Sequence, residues 1–170
     1  MRSFSVRVAA VHPSDRLLVE TWANATSGRT LDAGCGPGHW SNHLHGIGVD
    51  VHGIDLVPEF IEHARSTYPT VDVRLGDIDA IEERDDTLGR ILFARVLRPG
   101  GILLLGYFDG DRVEPFDHAV VRAYRWPAHD LHLLLESVGF EIIETHVRVE
   151  RGRRPVGAIL CERRDTRSGG

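Results

Sequence analysis

The stretch Asp32-Ala33-Gly34-Cys35-Gly36-Pro37-Gly38 has the spacing that could do chemistry: glycine at every second position, an acid just before, and Trp40 just after. Alternate glycines remove the Cβ atoms that would hold a ligand off the backbone, and they allow φ > 0. A short apolar strand (Thr30, Leu31, Ala33) leads into them. The end of a first β-strand, opening into a helix, is where open α/β sheets bind nucleotides. A dinucleotide fingerprint, G-x-G-x-x-G, would want Gly or Ala at position 39, and the residue there is His39. The chain reads instead as D-x-G-x-G-x-G. A Gly-rich strand-to-helix turn with no ligand is the competing reading.

A second acid follows. Asp55 ends a strand at 49–57, about 20 residues after Gly34, where a carboxylate can accept hydrogen bonds from two ribose hydroxyls. A third short strand, 71–75, runs into Gly76-Asp77-Ile78. Arg95-Val96-Leu97-Arg98-Pro99-Gly100-Gly101 and the apolar Ile102 to Leu105 read as a helix end, a turn and a buried strand. Together these segments resemble the motifs of class I S-adenosylmethionine (SAM)-dependent methyltransferases. They are most similar to the bacterial family with a quinone-biosynthesis-type methyltransferase domain. The resemblance implies S-adenosyl-L-methionine as cofactor and S-adenosyl-L-homocysteine as product. It places Gly34, Cys35, Gly36 and Gly38 under the methionine part, flanked by Asp32 and Trp40. It places Asp55, with its neighbour Leu56, at the ribose. Asp77 would accept from the adenine amino group, and Ile78 would pack on the ring. Plain turn roles compete at Asp55 and at Asp77.

Methyl transfer from SAM is an in-line displacement, so the enzyme's work is mainly to hold the reacting atoms in line. A general base is needed only where the acceptor must first lose a proton. His118, Asp117 and Tyr124, in a loop at 107–126, are the candidates for base or acceptor contact, with a structural role as the alternative for each. Tyr107, Phe108, Phe116, Tyr124 and Trp126 would suit a lid over an apolar small molecule. His39, His43 and His45 lack the Glu of H-E-x-x-H and any Cys partner, so they read as solvent-facing or capping residues and no metal is expected. Every basic residue is Arg. Without Lys there is no Schiff base and no phosphate-loop lysine.

These residues need elements to position them. Helices are expected at 12–25, where Ser14 or Asp15 can cap after Pro13, at 39–45, and at 58–67 with Pro58 in its first turn. Further helices are expected at Leu88 to Leu97 and at 127–138, and strands at 140–147 and 156–161. The resulting fold class is α/β: a three-layer, Rossmann-like methyltransferase sheet, mostly parallel, with a C-terminal antiparallel hairpin. Residues 78–97 look too few for the family's fourth strand with its crossover helices, because a parallel crossover takes about a dozen residues. The expectation is an internal deletion of that strand. The strand at 102–106 would then pair directly with 30–34, leaving about six strands in place of seven, a partly open cofactor site and an edge that favours a homodimer.

At 170 residues the chain reads as a single domain over 1–162 with a disordered tail at 163–170. Its net charge of −5 does not favour nucleic acid, and no apolar run approaches the length of a membrane span. Two cysteines, Cys35 and Cys161, make no disulfide framework, and a cytoplasmic location is the default. The function expected is methyl transfer to a small-molecule acceptor. The alternative is a non-catalytic relative acting as a SAM-binding or partner subunit. An NAD-dependent oxidoreductase fails at His39 and at the terminal hairpin.

Overall fold

The apolar run at 102–105 becomes the middle of a long strand around which the sheet is built. The structure, a computed structural model, describes residues 11–25, 28–77, 88–90, 97–117 and 122–165. In chain order the elements are α1 (Pro13–Ala25), β1 (Thr30–Ala33), α2 (His39–Gly46), β2 (Val51–Asp55), α3 (Pro58–Thr67) and β3 (Asp72–Leu75). Then come β4 (Leu88–Arg90), β5 (Leu97–Asp109), β6 (Glu114–Asp117), β7 (Arg122–Trp126), α4 (Ala128–Ser137), β8 (Phe140–Arg148) and β9 (Val156–Arg163).

The described strands form one nine-stranded sheet. Strands β3, β2, β1, β4 and β5 lie side by side and parallel. Strand β9 runs antiparallel against β5, from Ile102↔Glu162 to Phe108↔Val156, and β8 pairs antiparallel with β9. This is the expected α/β architecture, mostly parallel with a closing antiparallel hairpin. Residues alternate between the two faces of β5, as the strand period of two requires. Leu97 and Leu103 pack with Leu131 and Leu135 of α4, Phe140 and Ile159. On the opposite face, Ile102 joins Trp22 and Ala23 of α1, Leu44 of α2, Val49 and Val51. A third cluster seats Ile61 and Ala64 of α3 against Cys35, Val71 and Val73.

Three expectations are corrected. The fourth strand is present: β4 lies between β1 and β5, with Thr30 opposite Arg90 and Arg90 opposite Ile102. Direct pairing of 102–106 with 30–34 is therefore overturned, and so is the count of six strands. Leu88–Arg90 was assigned to a helix by its apolar spacing. The central edges of β1 and β5 need backbone partners when buried, and three residues suffice to supply some of them. Residues 91–96 of the expected helix lie outside the described residues. Second, the Pro-Gly-Gly segment is an irregularity within β5. The register slips between Leu88/Leu97 and Arg90/Ile102, and Gly100 takes φ 72°. Third, the supposed loop at 107–126 contains the antiparallel hairpin strands β6 and β7, joined to the end of β5 through Phe108↔Arg125 and Asp109↔Trp126. An ion pair between Arg125 and Glu114 at 2.6 Å and an edge-to-face contact of Phe108 with Phe116 hold it there.

Candidate functional site

Strand β1 ends where the glycine loop begins, and the backbone of β2 folds the loop over the sheet. Ile54 O accepts from both Gly34 N, at 2.8 Å, and Cys35 N, at 2.9 Å. The turns are left-handed at Gly34 (φ 76°), Gly36 (φ 54°) and Gly38 (φ 80°). The reasons differ from residue to residue. A Cβ on Gly38 would stand 2.9 Å from Ala64 Cβ, so α3 packs directly on bare backbone. A Cβ on Gly36 would meet nothing within 4 Å and would project into open space. Gly36 therefore borders open space, whereas Gly38 shapes packing.

Asp55, buried at the end of β2, ties the loop to the second strand. Its Oδ2 accepts from Gly36 N and its Oδ1 from Val57 N, both at 2.8 Å. A carboxylate has roughly four lone-pair sites, so two remain for a ligand's hydroxyls. Asp32 points toward α2, where Ser41 Oγ donates to its Oδ2 at 2.6 Å. Burial pushes the Asp32 carboxyl above its ordinary range; the Ser41 hydrogen bonds oppose this, and the charge of Asp55 adds to it. Gly53 makes this close arrangement possible, since a Cβ there would lie 2.7 Å from Ser41 Oγ and 2.9 Å from Cys35.

The remaining expected residues fall in different places. The Cys35 side chain is buried beside Ile61 and Ala64, and burial raises its thiol pKa. Trp40 is half-buried on α2 and packs edge-to-face on His43. Leu56 and Asp77 are exposed, one beyond the end of β2 and the other two residues beyond β3. Ile78 and His118 lie outside the described residues. Asp117, opposite Arg122, and the half-exposed Tyr124, opposite Pro115, sit in the β6–β7 hairpin.

A cavity of about 880 Å³ opens beside the loop. Asp32, Gly34 and Trp40 line it from the loop side, and Leu18, Val19 and Trp22 of α1 cover it. Leu104, Tyr107 and Phe108 of β5 and Val156 of β9 form its far wall. Asp117 and Tyr124 are not among the lining residues, so the structure does not bring them to this cavity. Across the cavity, Arg148 of β8 holds Asp15 of α1 through Nε–Oδ1 at 3.2 Å and Nη2–Oδ2 at 2.5 Å, and it also pairs with Glu150. Sequence reasoning did not find Ser41, Gly53 or this pair. Asp15 and Arg148 are 133 positions apart, and no local pattern announces the contact. The three histidines are structural where they are paired: His43 Nε2 meets Glu20 Oε1 at 2.8 Å, and His39 Nδ1 meets Tyr68 Oη at 3.0 Å. No metal-binding group of His, Cys, Asp and Glu occurs among the described residues. No helix among them is long and apolar enough to cross a membrane.

Comparison with known proteins agrees with this geometry. Residues 30–101 match a family model described as methyltransferase domain. The chain is 36% identical over 104 residues to a malonyl-[acyl-carrier protein] O-methyltransferase of Yersinia pestis, covering 51% of this chain and 39% of that protein. It is 29% identical over 146 residues to a probable S-adenosylmethionine-dependent methyltransferase of Mycolicibacterium smegmatis, covering 72% of this chain and 56% of that protein. The chain thus spans 39% to 56% of the length of these two relatives. Among solved structures, a SAM-dependent methyltransferase from Methanosarcina mazei superposes with a TM-score of 0.73 at 17% identity, covering 91% of this chain and 98% of that one. The partial sequence matches are to methyltransferases, and the fold is similar to that of a SAM-dependent methyltransferase, whose cofactor is S-adenosylmethionine. The residues present fit that cofactor: a loop bare of Cβ atoms over open space at Gly36, and a buried carboxylate at the end of β2 with lone pairs to spare.

Proposed function

We propose that this chain transfers a methyl group from SAM to a small, mainly apolar acceptor held in the cavity under α1. The observation that carries the reading is the glycine loop pinned by Asp55 at the edge of a cavity that Asp32, Gly34 and Trp40 line. Gly34, Cys35, Gly36 and Gly38 would hold the methionine part through their backbone, Asp55 and Leu56 the ribose, and Asp77 and Ile78 the adenine. When bound, the cofactor supplies an activated methyl group on a positively charged sulfur. Asp32 puts negative charge next to that position. Trp22 and Leu18 exclude water, and the walls of β5 and β9 orient the acceptor, which is the contribution such a displacement asks of a protein. Asp117 and Tyr124 do not line the cavity, and the role assigned to its walls is orientation. An acceptor that is already anionic, such as the carboxylate implied by the Yersinia relative's name, needs no base. The apolar lining also suits a quinone-like acceptor, in keeping with the quinone-biosynthesis-type resemblance.

The second reading, a SAM-binding partner subunit, is favoured by one feature. Strand β4 is only three residues long, and residues 91–96 alone connect it to its parallel neighbour β5, where a helical crossover takes about a dozen. We infer a shortened crossover here in place of a lost strand. The homodimer argument from a missing central strand falls with that strand.

Calorimetric titration with S-adenosylhomocysteine, wild type beside Asp55→Ala and Asp55→Asn, tests the reading. Micromolar binding that is lost in the alanine variant and weakened in the asparagine variant is the expected result. A folded wild type that binds no cofactor product would overturn it. Binding without turnover of labelled SAM, restored by a partner protein, would favour the second reading.

A further inference from the structure

We infer that His146 marks a second, polar subsite of the acceptor cavity: its ring accepts a hydrogen bond from a hydroxyl on the end of an apolar acceptor that lies away from the glycine loop. The inference rests on the methyltransferase reading above and adds to it the chemistry of the acceptor's far end.

Side chains two apart on a strand share a face. Arg148 reaches from β8 to Asp15 of α1, so His146 stands on the same face, the one that α1 covers. It lines the cavity, and its side chain is 46% exposed. The strand register shows what lies in front of it. His146 is opposite Ala158 on β9, and Ala158 is opposite Gly106 on β5. Both small residues also line the cavity, and a Cβ on Gly106 would meet nothing within 4 Å. The cavity floor is therefore low along this row. Leu104 and Leu160 border it on one side, Phe108 and Val156 on the other. The resulting trough crosses the strands and ends at His146. Strand β8 is four strand spacings from β1, whose end carries the glycine loop, a separation of about 19 Å. A group held at His146 is thus not the one that takes the methyl group. It is the opposite end of an elongated acceptor.

The ring's surroundings choose that group. His146 Nε2 lies 3.1 Å from Glu144 Oε1. A carboxylate at that point favours the proton on Nε2, which in the neutral ring leaves Nδ1 as an acceptor. Nδ1 has no hydrogen-bond partner among the described residues. The charged groups beside it are engaged with one another: Arg148, on the same strand, is held by Asp15 of α1 and by Glu150. A lone acceptor nitrogen between apolar banks discriminates by what it leaves unpaired. An O–H at that point satisfies it, and a carbonyl of the same shape does not.

The test uses two probes of nearly equal shape, cyclohexanol and cyclohexanone, titrated calorimetrically at about pH 8.5, where an ordinary imidazole is neutral. They are titrated into wild type, His146→Phe and Glu144→Ala, each saturated with S-adenosylhomocysteine. The quantity read is the ratio of the two dissociation constants. Wild type is expected to prefer cyclohexanol about fivefold, the worth of one neutral hydrogen bond. The preference is lost in His146→Phe. It narrows in Glu144→Ala, because the proton can then sit on either nitrogen and an Nδ1–H serves the ketone. A purely structural Glu144 would leave the ratio alone. A ratio unchanged from wild type in either variant overturns the inference. So does a wild type that binds S-adenosylhomocysteine but shows no preference or binds neither probe. If wild type fails to bind S-adenosylhomocysteine, the methyltransferase reading fails, and the probe ratio, measured without it, still decides the role of His146. Both side chains are about half exposed, so neither substitution threatens the fold.

Discussion

Two glycines two positions apart in one loop do different work, and single substitutions separate them. Gly36→Ala adds a methyl group to open space at φ 54°, so its cost is backbone strain of about 1–2 kcal/mol, while the methyl stands where the cofactor would lie. Its expected signature is a small loss in urea-unfolding stability with a large loss of S-adenosylhomocysteine affinity. Gly38→Ala adds the Ala64 clash to the same kind of strain, and a loss of about 2–4 kcal/mol is expected in the same unfolding experiment. Asp32 gives a pH dependence. Burial raises its folded-state pKa above the unfolded value, so the folded protein holds that proton more tightly. This contribution is fully present below the unfolded pKa and is lost as pH rises through the folded one. Asp32→Asn should therefore be more stable than wild type at pH 7–8 and no more stable at pH 3, by urea unfolding across that range. It should also bind cationic SAM less well relative to neutral S-adenosylhomocysteine.

Among elements, α1 is the one whose attachment governs access. Trp22 and Ala23 bury its inner face, and the Trp22 indole donates to Ile102 O at 3.4 Å. Its N-terminal turn is held to β8 by the Arg148–Asp15 pair. Both partners of that pair are partly exposed, so its worth to global stability is small, within about 1 kcal/mol. Arg148→Ala is expected to leave the unfolding midpoint nearly unchanged and to speed amide hydrogen exchange in 13–18 while 19–25, anchored by Trp22, stays protected. Equal acceleration along the whole helix would show that the pair, and not the indole, is the anchor. Strand β4 teaches the opposite lesson about length: Leu88–Arg90 is a strand because β1 and β5 flank it, and its own side chains do not announce it.

For the molecule as a whole, ligand binding should appear as stability. At a S-adenosylhomocysteine concentration of 100 times the dissociation constant, linkage adds about 2.7 kcal/mol, a clear rise in the thermal midpoint that Asp55→Ala should abolish. The glycine loop, the acid at the end of β2, the amphipathic helices and the closing antiparallel hairpin were all legible in the chain, because each depends on residues near one another in sequence: turn glycines, a strand-end carboxylate and alternating or helical apolar spacing. The sequence also placed Asp32 and Trp40 beside the loop. It misread 88–90 as part of a helix and 107–126 as a loop, because a three-residue central strand and a short hairpin take their identity from the strands they pair with. It offered Asp117 and Tyr124 for a site whose walls come from β5, β9 and α1. Only the tertiary structure decided that Arg148 reaches Asp15, that Gly106 and Ala158 open a row across the cavity floor, and that His146 stands at its end. Those facts depend on contacts between residues far apart in the chain, and local periodicity carries no information about which distant side chains will meet.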